Sequence, residues 1–417
     1  MSSLDVLIQD ETHGPEVLVG TLTRTASRSG DVIAFEYADS WLNRSAPTRA
    51  FPLDTELQLA PGRTFSQAGA AELTGAFQDC SPDRWGKLLM KRREAIEARE
   101  QGRAPRSLRP WDYLIGVNDE SRMGAIRLRD QASGAYLDTR VLSAPPITEL
   151  RSLEAIAWKL QQGEELTDET VAWFKQLVEP GASLGGARPK TSFRDVDGSL
   201  WLAKFPSTDD TVDVGLWEHV TSILAGFAGV RMPDAKVMKL SKRGHTFAVR
   251  RFDRTATSRR VYASAMTMLG ATESEGHSYL DIADVIEREG VPAGIARDLE
   301  QLFRRALFGV LIGNRDDHLR NHGFLRDPQG WSLSPAFDVN PNLDKQSHVL
   351  NIGADLAAPE SALLIAEAQF YRIGKHQLGK IIDEVRGSVS DWEAVAKRAG
   401  AKAAEIEQMR SVIDPRR

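Results

Sequence analysis

The sequence is poor in several features that assign a protein to a class at once. Its 417 residues include one cysteine, Cys80, so neither an intramolecular disulfide nor a thiolate metal cage can form. No apolar run reaches the roughly 18 residues that a membrane span needs, and the first residues lack the basic and apolar regions of a secretory signal. We therefore expect a cytoplasmic location, where thiols stay reduced.

An excess of positive charge is missing as well. The formal net charge is -5, which argues against a dedicated nucleic-acid binder, because such domains are normally basic. The one notable basic run, Lys91-Arg92-Arg93, is typical of a solvated helix face. Internal repeats and low-complexity tracts are also absent, so the composition is that of an ordinary globular protein with two or three domains.

What the sequence does contain is a change from strand-like to helix-like patterns along the chain. The first ~60 residues alternate short apolar runs with turn residues and predict a small antiparallel sheet. Strand patterns return between 181 and about 252, interrupted by one helix at about 214–228, whereas the chain beyond about 280 is typical of helices. We predict three domains from this order: an N-terminal β-rich and helical subdomain (1–145), a second lobe that contains strands (146–255) and a helical C-lobe (256–417).

Further helices are predicted between the two strand-like regions. The run Ser81-Pro82-Asp83 is a helix start signal, and the apolar residues Trp85, Leu88 and Leu89 share one face of the helix that follows. Two amphipathic patterns predict additional helices at about 147–161 and 167–178.

The clearest indication of function is the polar segment after the apolar stretch 302–312, which itself predicts a buried helix. Arg315-Asp316 is followed by Asn321 five positions after the aspartate, and this is the spacing of a protein-kinase catalytic loop. In such a loop the aspartate accepts the proton of the attacking hydroxyl, while the asparagine oxygen turns back to Mg²⁺ on the nucleotide. The spacing therefore predicts phosphoryl transfer.

A kinase needs a second metal ligand, and Asp338 lies in the right order along the chain to supply it. Residues 322–333 have the pattern of a β-hairpin, which would return Asp338 to the base of the loop. Mg²⁺ prefers one or two carboxylates, an amide oxygen, water and phosphates, and Asn321 and Asp338 provide the protein part of that set.

A different metal is the alternative at this place. Asp316, His318 and His322 are residue types that ligate Zn²⁺. A further nitrogen or sulfur ligand is not spaced nearby, and the kinase order of the motifs weighs against zinc.

A glycine-rich segment at 181–191 precedes these motifs. Its glycines would let backbone N–H groups approach phosphate oxygens, although a plain flexible turn is the alternative. Since Pro189 takes the place of the glycine before Lys190, the segment is not a Walker A loop.

Lys204 lies in the alternating strand 200–205, downstream of the glycine-rich segment. That is where a kinase lysine for the α- and β-phosphates belongs. Glu218, on the helix predicted to follow, is its expected carboxylate partner.

These motifs, taken in order, resemble those of the HipA family, the serine/threonine kinase toxins of bacterial type II toxin–antitoxin systems. The matching segments are Ser183–Lys190, Lys204–Pro206, Arg251–Arg254, Gly313–Asn321 and Ala336–Asp338. The resemblance implies an α+β, bilobal protein-kinase-like (HipA-like) fold, with a β-rich N-lobe, an added N-terminal subdomain and an all-α C-lobe.

The resemblance also implies two cofactors, ATP and Mg²⁺, and roles for individual residues. Asp316 would be the catalytic base, Asn321 and Asp338 would bind Mg²⁺, and Lys204 would contact ATP. Ser183 matches the family's autophosphorylated serine, whose modification ejects the phosphate loop and inactivates the enzyme. The expected nucleotide contacts are Ser183, Gly185, Gly186, Lys204, Glu218, Arg250, Phe252 and His318.

The chain departs from the family's pattern in the adenine hinge, where Arg250 stands at a position that is often acidic. The partner implied by the resemblance is a small helix-turn-helix antitoxin that binds operator DNA, so that contact with DNA would be indirect. The implied substrate is a protein, of which an aminoacyl-tRNA synthetase is the best-known type.

Three alternatives stay open at the level of the sequence. A small-molecule kinase shares the Asp-x₄-Asn spacing, although the 181–191 loop and the amino-terminal region weigh against it. A non-catalytic regulator that binds nucleotide and a DNA-bound partner would have little need of Asp316, Asn321 and Asp338 together. A metal-dependent phosphohydrolase is the third.

Overall fold

The computed structural model of the chain describes residues 2–27, 30–45, 48–137, 144–164, 174, 188–353, 356 and 360–417. The chain divides into two compact units. The first unit comprises Met1–Thr208 and Asp253–Ala263, and the second unit comprises Asp209–Phe252 and Ser264–Arg417. The three-domain division of the sequence cuts the chain at other points and stays a prediction.

Strands and helices alternate in blocks along the described residues. The strands are β1 (Ser2–Asp10), β2 (Gly14–Ser27), β3 (Gly30–Tyr37), β4 (Arg63–Thr64), β5 (Ile126–Asp130), β6 (Lys190–Arg194), β7 (Leu200–Lys204), β8 (Ala235–Met238), β9 (Thr246–Arg250), β10 (Tyr262–Ser264), β11 (Gly323–Asp327) and β12 (Gly330–Leu333). The helices are α1 (Asp39–Leu42), α2 (Gly75–Asp79), α3 (Arg84–Glu100), α4 (Pro110–Ile115), α5 (Leu150–Gln161), α6 (Val214–Phe227), α7 (Ala265–Leu269), α8 (Tyr279–Glu289), α9 (Ile295–Ile312), α10 (Ser361–Ala366), α11 (Lys375–Ser390), α12 (Trp392–Ala399) and α13 (Ala403–Met409). Short 3₁₀ helices lie at Ile147–Glu149, Leu319–Asn321 and Ala368–Tyr371.

The first unit contains the antiparallel sheet that the alternating pattern of the first ~60 residues predicts. Its strand order is β4-β3-β2-β1-β5. Strand β5 comes from much later in the chain and pairs with β1 from Leu4↔Asp130 to Ile8↔Ile126. Strand β1 is therefore flanked on both sides, and Val6, Leu7 and Ile8 are buried in succession.

Helix α3 begins at the predicted start signal, with Asp83 as the N-cap. Trp85 and Leu89 are buried, whereas Leu88 is 38% exposed. The buried residues of α3 include Met90, so the buried stripe runs along the side of the helix away from Leu88.

A buried ion pair joins α3 to β6 within the first unit. The Lys190 ammonium lies 2.6 Å from the Asp83 carboxylate, and the two side chains are 2% and 5% exposed. The indole N–H of Trp85 donates to the backbone carbonyl of Lys190 at 3.1 Å. Lys190, near the end of the glycine-rich segment 181–191, is thus bound to α3 by an ion pair and a hydrogen bond.

The second unit is built around α9. The stretch 302–312 is buried as predicted, and α9 packs against α8, α10 and α11. Helix α6 occupies the predicted position, whereas β8, which pairs with β9 from Ala235↔Val249 to Met238↔Thr246, was not anticipated.

The predicted hairpin at 322–333 is present as β11 and β12, paired from Phe324↔Leu333 to Asp327↔Gly330. The helix predicted at about 167–178 lies outside the described residues except for Phe174, which is buried. Every helix in the described part of the chain is too short or too polar to cross a membrane.

Candidate active site

The predicted catalytic loop starts where α9 ends. Gly313 has a φ of 72°, in the left-handed region, and a Cβ at this position would lie 2.8 Å from the carbonyl oxygen of Val412. A glycine is therefore required here for both backbone conformation and space. The N–H of Asn314 donates to the carbonyl of Gly309 at 2.8 Å, which closes the last turn of the helix.

Asp316 and Asn321 meet across this loop. The side-chain amide nitrogen of Asn321 donates to the backbone carbonyl of Asp316 at 3.3 Å. Since the amide nitrogen is used in this way, the amide oxygen is the atom of Asn321 that can accept a hydrogen bond or ligate a cation. The carboxylate of Asp316 is exposed, so an incoming hydroxyl can reach it.

The carboxylate of Asp316 forms an ion pair with the ammonium group of Lys345. Both side chains are exposed, at 55% for Asp316 and 42% for Lys345. Lys345 was not predicted from the sequence, because it belongs to no motif and lies beyond Asp338 in a segment without regular structure.

Asp317, the next residue, faces the opposite way and is buried. Its carboxylate accepts hydrogen bonds from the hydroxyl of Tyr279 at 2.5 Å and from Nε2 of His322 at 3.1 Å. Burial acts to raise the pKa of Asp317, but His322 and the hydroxyl of Tyr279 outweigh it and hold this pKa below its usual value. The hydroxyl of Tyr279 stays protonated, because burial and the nearby Asp317 charge raise its pKa well above the usual value. The loop is thus tied to α8 by a charge-assisted hydrogen bond.

The zinc site considered from the sequence is not formed. His322 is buried and bonded to Asp317, whereas the Asp316 carboxylate points to Lys345. Within the described ranges, no three His, Cys, Asp or Glu side chains gather in a way that could hold a metal. The adjacent aspartates face opposite sides of the loop, and this separates the residues that zinc would have to join.

Asp338 follows the β11–β12 hairpin in a strained backbone conformation. Its φ is 58°, in the left-handed region, which costs a non-glycine residue on the order of 1 kcal/mol. The segment is held on both sides. The N–H of Ala336 donates to the carbonyl of Arg231 at 2.8 Å, and the hydroxyl of Thr221 donates to the carbonyl of Val339 at 2.7 Å. Strain that the surroundings impose in this way is typical of functional sites.

The catalytic loop and the Asp338 segment line one recess. Asn321 contributes from the loop, and Phe337 and Val339 contribute from either side of Asp338. Arg305 also lines the recess, and burial lowers the pKa of its guanidinium to about 9. Asp338 lies between two of the lining residues, and an amide oxygen and a carboxylate are the ligand types that suit Mg²⁺.

The residues predicted to contact the adenine lie in the second unit. Arg250 ends β9, is exposed and lies 3.4 Å from the carboxylate of Asp234. The ring of Phe252 packs against that of Phe337, with centroids 5.4 Å apart. The structure therefore brings the hinge candidate Phe252 beside the residue that precedes Asp338.

The other predicted nucleotide contacts are distributed more widely. Lys204 is buried at the end of β7 in the first unit, and Glu218 is buried in α6 of the second unit. His318 is half-buried in the catalytic loop. Ser183, Gly185 and Gly186 lie outside the described residues.

Two residues of the segment Arg251–Arg254 have a structural role in the first unit. The N–H of Gly124 donates to the carboxylate of Asp253 at 2.7 Å. The guanidinium of Arg254 donates to the carbonyls of Gly124, Glu120 and Arg122 at 3.0, 2.9 and 2.6 Å. Asp253 and Arg254 therefore hold the backbone turn that precedes β5.

The antiparallel sheets, the buried helix that ends in an Arg-Asp-x₄-Asn loop and the hairpin that leads to Asp338 define an α+β protein with a kinase-like fold. The chain belongs to the HipA-like C-terminal domain family, whose model matches residues 182–409.

Curated relatives and a solved structure agree with this assignment. Y4dM of Sinorhizobium fredii, which is named as a kinase, is 27% identical over 222 residues, or 48% of this chain and 52% of Y4dM. The serine/threonine-protein kinase toxin HipA of Shewanella oneidensis is 24% identical over 266 residues, or 55% of this chain and 59% of that protein. The chain therefore matches between half and three fifths of the length of these relatives.

The structural likeness extends over nearly the whole chain. A chain from the complex of HipA, HipB and operator DNA of Shewanella oneidensis MR-1 superimposes with a TM-score of 0.62 at 15% identity, covering 98% of this chain and 94% of that one. At this identity the likeness is one of fold, and it confirms the predicted HipA-like fold class.

Proposed function

We propose that this protein is an ATP-dependent serine/threonine protein kinase that acts as the toxin of a HipBA-like toxin–antitoxin module. The observation that carries the proposal is the loop in which the Asn321 amide bonds to the backbone of Asp316, beside the strained segment of Asp338. An exposed carboxylate next to a cation-ligating amide oxygen is what phosphoryl transfer to a hydroxyl requires.

In the proposed mechanism, Asp316 accepts the proton of a serine or threonine hydroxyl while that oxygen bonds to the γ-phosphorus of ATP. The bond from the γ-phosphorus to the bridging oxygen breaks, and ADP leaves. Asn321 and Asp338 would hold Mg²⁺, which neutralises charge on the phosphates when it is bound. Lys204 would contact the α- and β-phosphates, with Glu218 as its carboxylate partner.

The same proposal includes an internal switch and an adenine site. Ser183 would be the autophosphorylated residue, in a phosphate loop that contains Gly185 and Gly186. Arg250 and Phe252 would contact the adenine, and His318 would complete the nucleotide contacts from the catalytic loop.

The proposed partner is a HipB-like helix-turn-helix antitoxin, through which the protein would meet DNA indirectly. The solved relative with the same fold comes from a complex with HipB and operator DNA. The proposed substrate is a protein that offers a serine or threonine hydroxyl, of the aminoacyl-tRNA synthetase type.

The test is incubation of the full chain with γ-labelled ATP and Mg²⁺, followed by mapping of the labelled residue. We expect label on Ser183 and a transfer rate that falls about 10²–10⁴-fold in Asp316→Asn, because the base is lost. Asp284→Asn is the matched control, since Asp284 is also an exposed aspartate in an ion pair, with Arg288 at 2.7 Å on α8. It should transfer phosphate at the wild-type rate.

Two results would contradict the proposal. Wild-type protein that binds ATP without transferring phosphate would favour a nucleotide-binding regulator. Equal labelling of the wild type and of Asp316→Asn would mean that the activity does not depend on this loop.

A further inference from the structure

We propose that Lys345 is a phosphate-binding residue of the active site, whose ammonium group contacts the γ-phosphoryl oxygens of Mg·ATP and neutralises them during transfer. The inference rests on the proposed function, because it adds a residue to the same site. Its starting point is the ion pair of Lys345 with Asp316, the residue proposed as the base.

The backbone of Lys345 is anchored to the catalytic loop at several points. The N–H of Asn342 donates to the carbonyl of Gly313 at 2.9 Å, and Oδ1 of Asn342 accepts the N–H of Lys345 at 2.7 Å. The guanidinium of Arg315 donates to the carbonyl of Lys345 at 2.5 Å, and the N–H of Val349 donates to the carbonyl of Arg315 at 3.2 Å. The Cα of Lys345 is therefore held in place relative to Asp316.

A contribution to folding stability does not explain the ion pair of Lys345 with Asp316. Ion pairs between exposed side chains contribute little to folding, because water replaces either partner at small cost. The neighbouring Arg315 is buried and directed at the Lys345 carbonyl, so it does not present its charge to solvent beside Asp316. Lys345 brings a positive charge onto the exposed carboxylate of Asp316.

The position of Lys345 suits the transferred phosphoryl group. The attacking hydroxyl has to lie within hydrogen-bond distance of Asp316 and about 3–3.5 Å from the γ-phosphorus. An ammonium group that touches Asp316 is therefore within a side-chain rotation of the γ-phosphoryl oxygens, and the flexible lysine stem permits that rotation. Negative charge on those oxygens in the transition state is stabilised by a cation already in place.

The proton balance does not involve Lys345. The hydroxyl proton passes to Asp316, the new oxygen–phosphorus bond replaces the bond to the bridging oxygen, and ADP leaves. The contact of Lys345 changes from Asp316 to the phosphoryl group.

The test uses the full chain with Lys345→Ala and Lys345→Arg, and Lys375→Ala as the control. Lys375 is an exposed lysine at the start of α11. Affinities for Mg·ATP and Mg·ADP are measured by calorimetry, and transfer is measured as a single turnover at saturating labelled ATP. Thermal unfolding of each variant monitors the fold.

We expect Lys345→Ala to weaken Mg·ATP binding about tenfold, because a charge-assisted contact is lost, and to leave Mg·ADP binding unchanged. Transfer at saturating ATP should slow about 10²-fold. Lys345→Arg should recover part of both losses, since it keeps the charge, and Lys375→Ala should match the wild type.

Other results would overturn the inference. If Lys345→Ala weakens ATP and ADP binding equally, Lys345 is a structural residue. If Lys345→Ala transfers phosphate at or above the wild-type rate, Lys345 does not assist transfer. If the wild type transfers no phosphate, the proposed function fails, and the ATP-to-ADP affinity ratio of Lys345→Ala still decides whether Lys345 contacts the γ-phosphate.

Discussion

Two lysine–aspartate ion pairs in this molecule have the same chemistry and opposite environments. Lys190 and Asp83, in the first unit, are 2% and 5% exposed, whereas Lys345 and Asp316, in the second unit, are 42% and 55% exposed. In the buried pair each charge depends on the other, because neither can be solvated. In the exposed pair water can replace either partner, so the pair can open at small cost. Burial therefore separates a pair that the fold depends on from one whose two side chains stay accessible to solvent.

The adjacent aspartates of the catalytic loop repeat this contrast over one peptide bond. Asp316 is exposed to solvent, while Asp317 is buried and bonded to Tyr279 and His322. The buried residue holds the loop, and the exposed residue keeps its carboxylate accessible to solvent.

The largest effect on stability is expected when one charge of the buried pair is removed. We expect Lys190→Met to lower the free energy of unfolding by about 3–5 kcal/mol, since it leaves the Asp83 carboxylate buried without its cation. Urea denaturation of the wild type and the variant measures this. The double variant Lys190→Met/Asp83→Asn should regain most of the loss, because no buried charge remains. A loss below about 1 kcal/mol in the single variant would show that water reaches Asp83.

His348 extends the comparison to pH, because it is a buried titratable residue three positions from the exposed Lys345. Burial lowers the pKa of His348 from 6.5 to about 4. The unfolded chain therefore binds a proton at pH values where the folded protein does not, and stability falls as the pH decreases from about 6.5 to about 4. The contribution of His348 should be a loss of about 2 kcal/mol between pH 7 and pH 5.

The measurement is urea denaturation of the wild type and of His348→Gln at both pH values. The change in unfolding free energy between the two pH values should be smaller in His348→Gln by that amount. An equal change in unfolding free energy in the two proteins would mean that the His348 ring is solvated.

The smallest effect is expected at the exposed pair itself. Lys345→Met should change the free energy of unfolding by at most about 1 kcal/mol, although the same position is expected to matter for transfer. Urea denaturation beside Lys190→Met compares the two lysines directly. A loss as large as that of Lys190→Met would place Lys345 among the structural residues and remove the contrast.

Much of the fold follows from local pattern. The alternating runs of the first ~60 residues, the buried stretch 302–312 and the hairpin at 322–333 all appear where the sequence predicts them. Strand β8 was missed because it has only 4 residues, Ala235–Met238, which is too short a run for a clear alternation of apolar and polar residues.

The candidate site also combines residues that the sequence predicts with one that it does not. The offset between Asp316 and Asn321 is a property of one short loop, so the sequence is sufficient to predict that they meet. Lys345 comes from a separate segment, and only the folded backbone brings it to Asp316.

By itself the sequence determined the antiparallel sheet, the buried helix that ends at Ile312, the order of the motifs and the family. These depend on periodicity and spacing within short segments, which the chain carries locally. The tertiary structure alone decided which aspartate of the loop is buried, that Lys190 pairs with Asp83 from 107 residues away, and that Asp338 adopts a left-handed backbone. The physical reason is that burial and charge pairing depend on atoms contributed by distant segments.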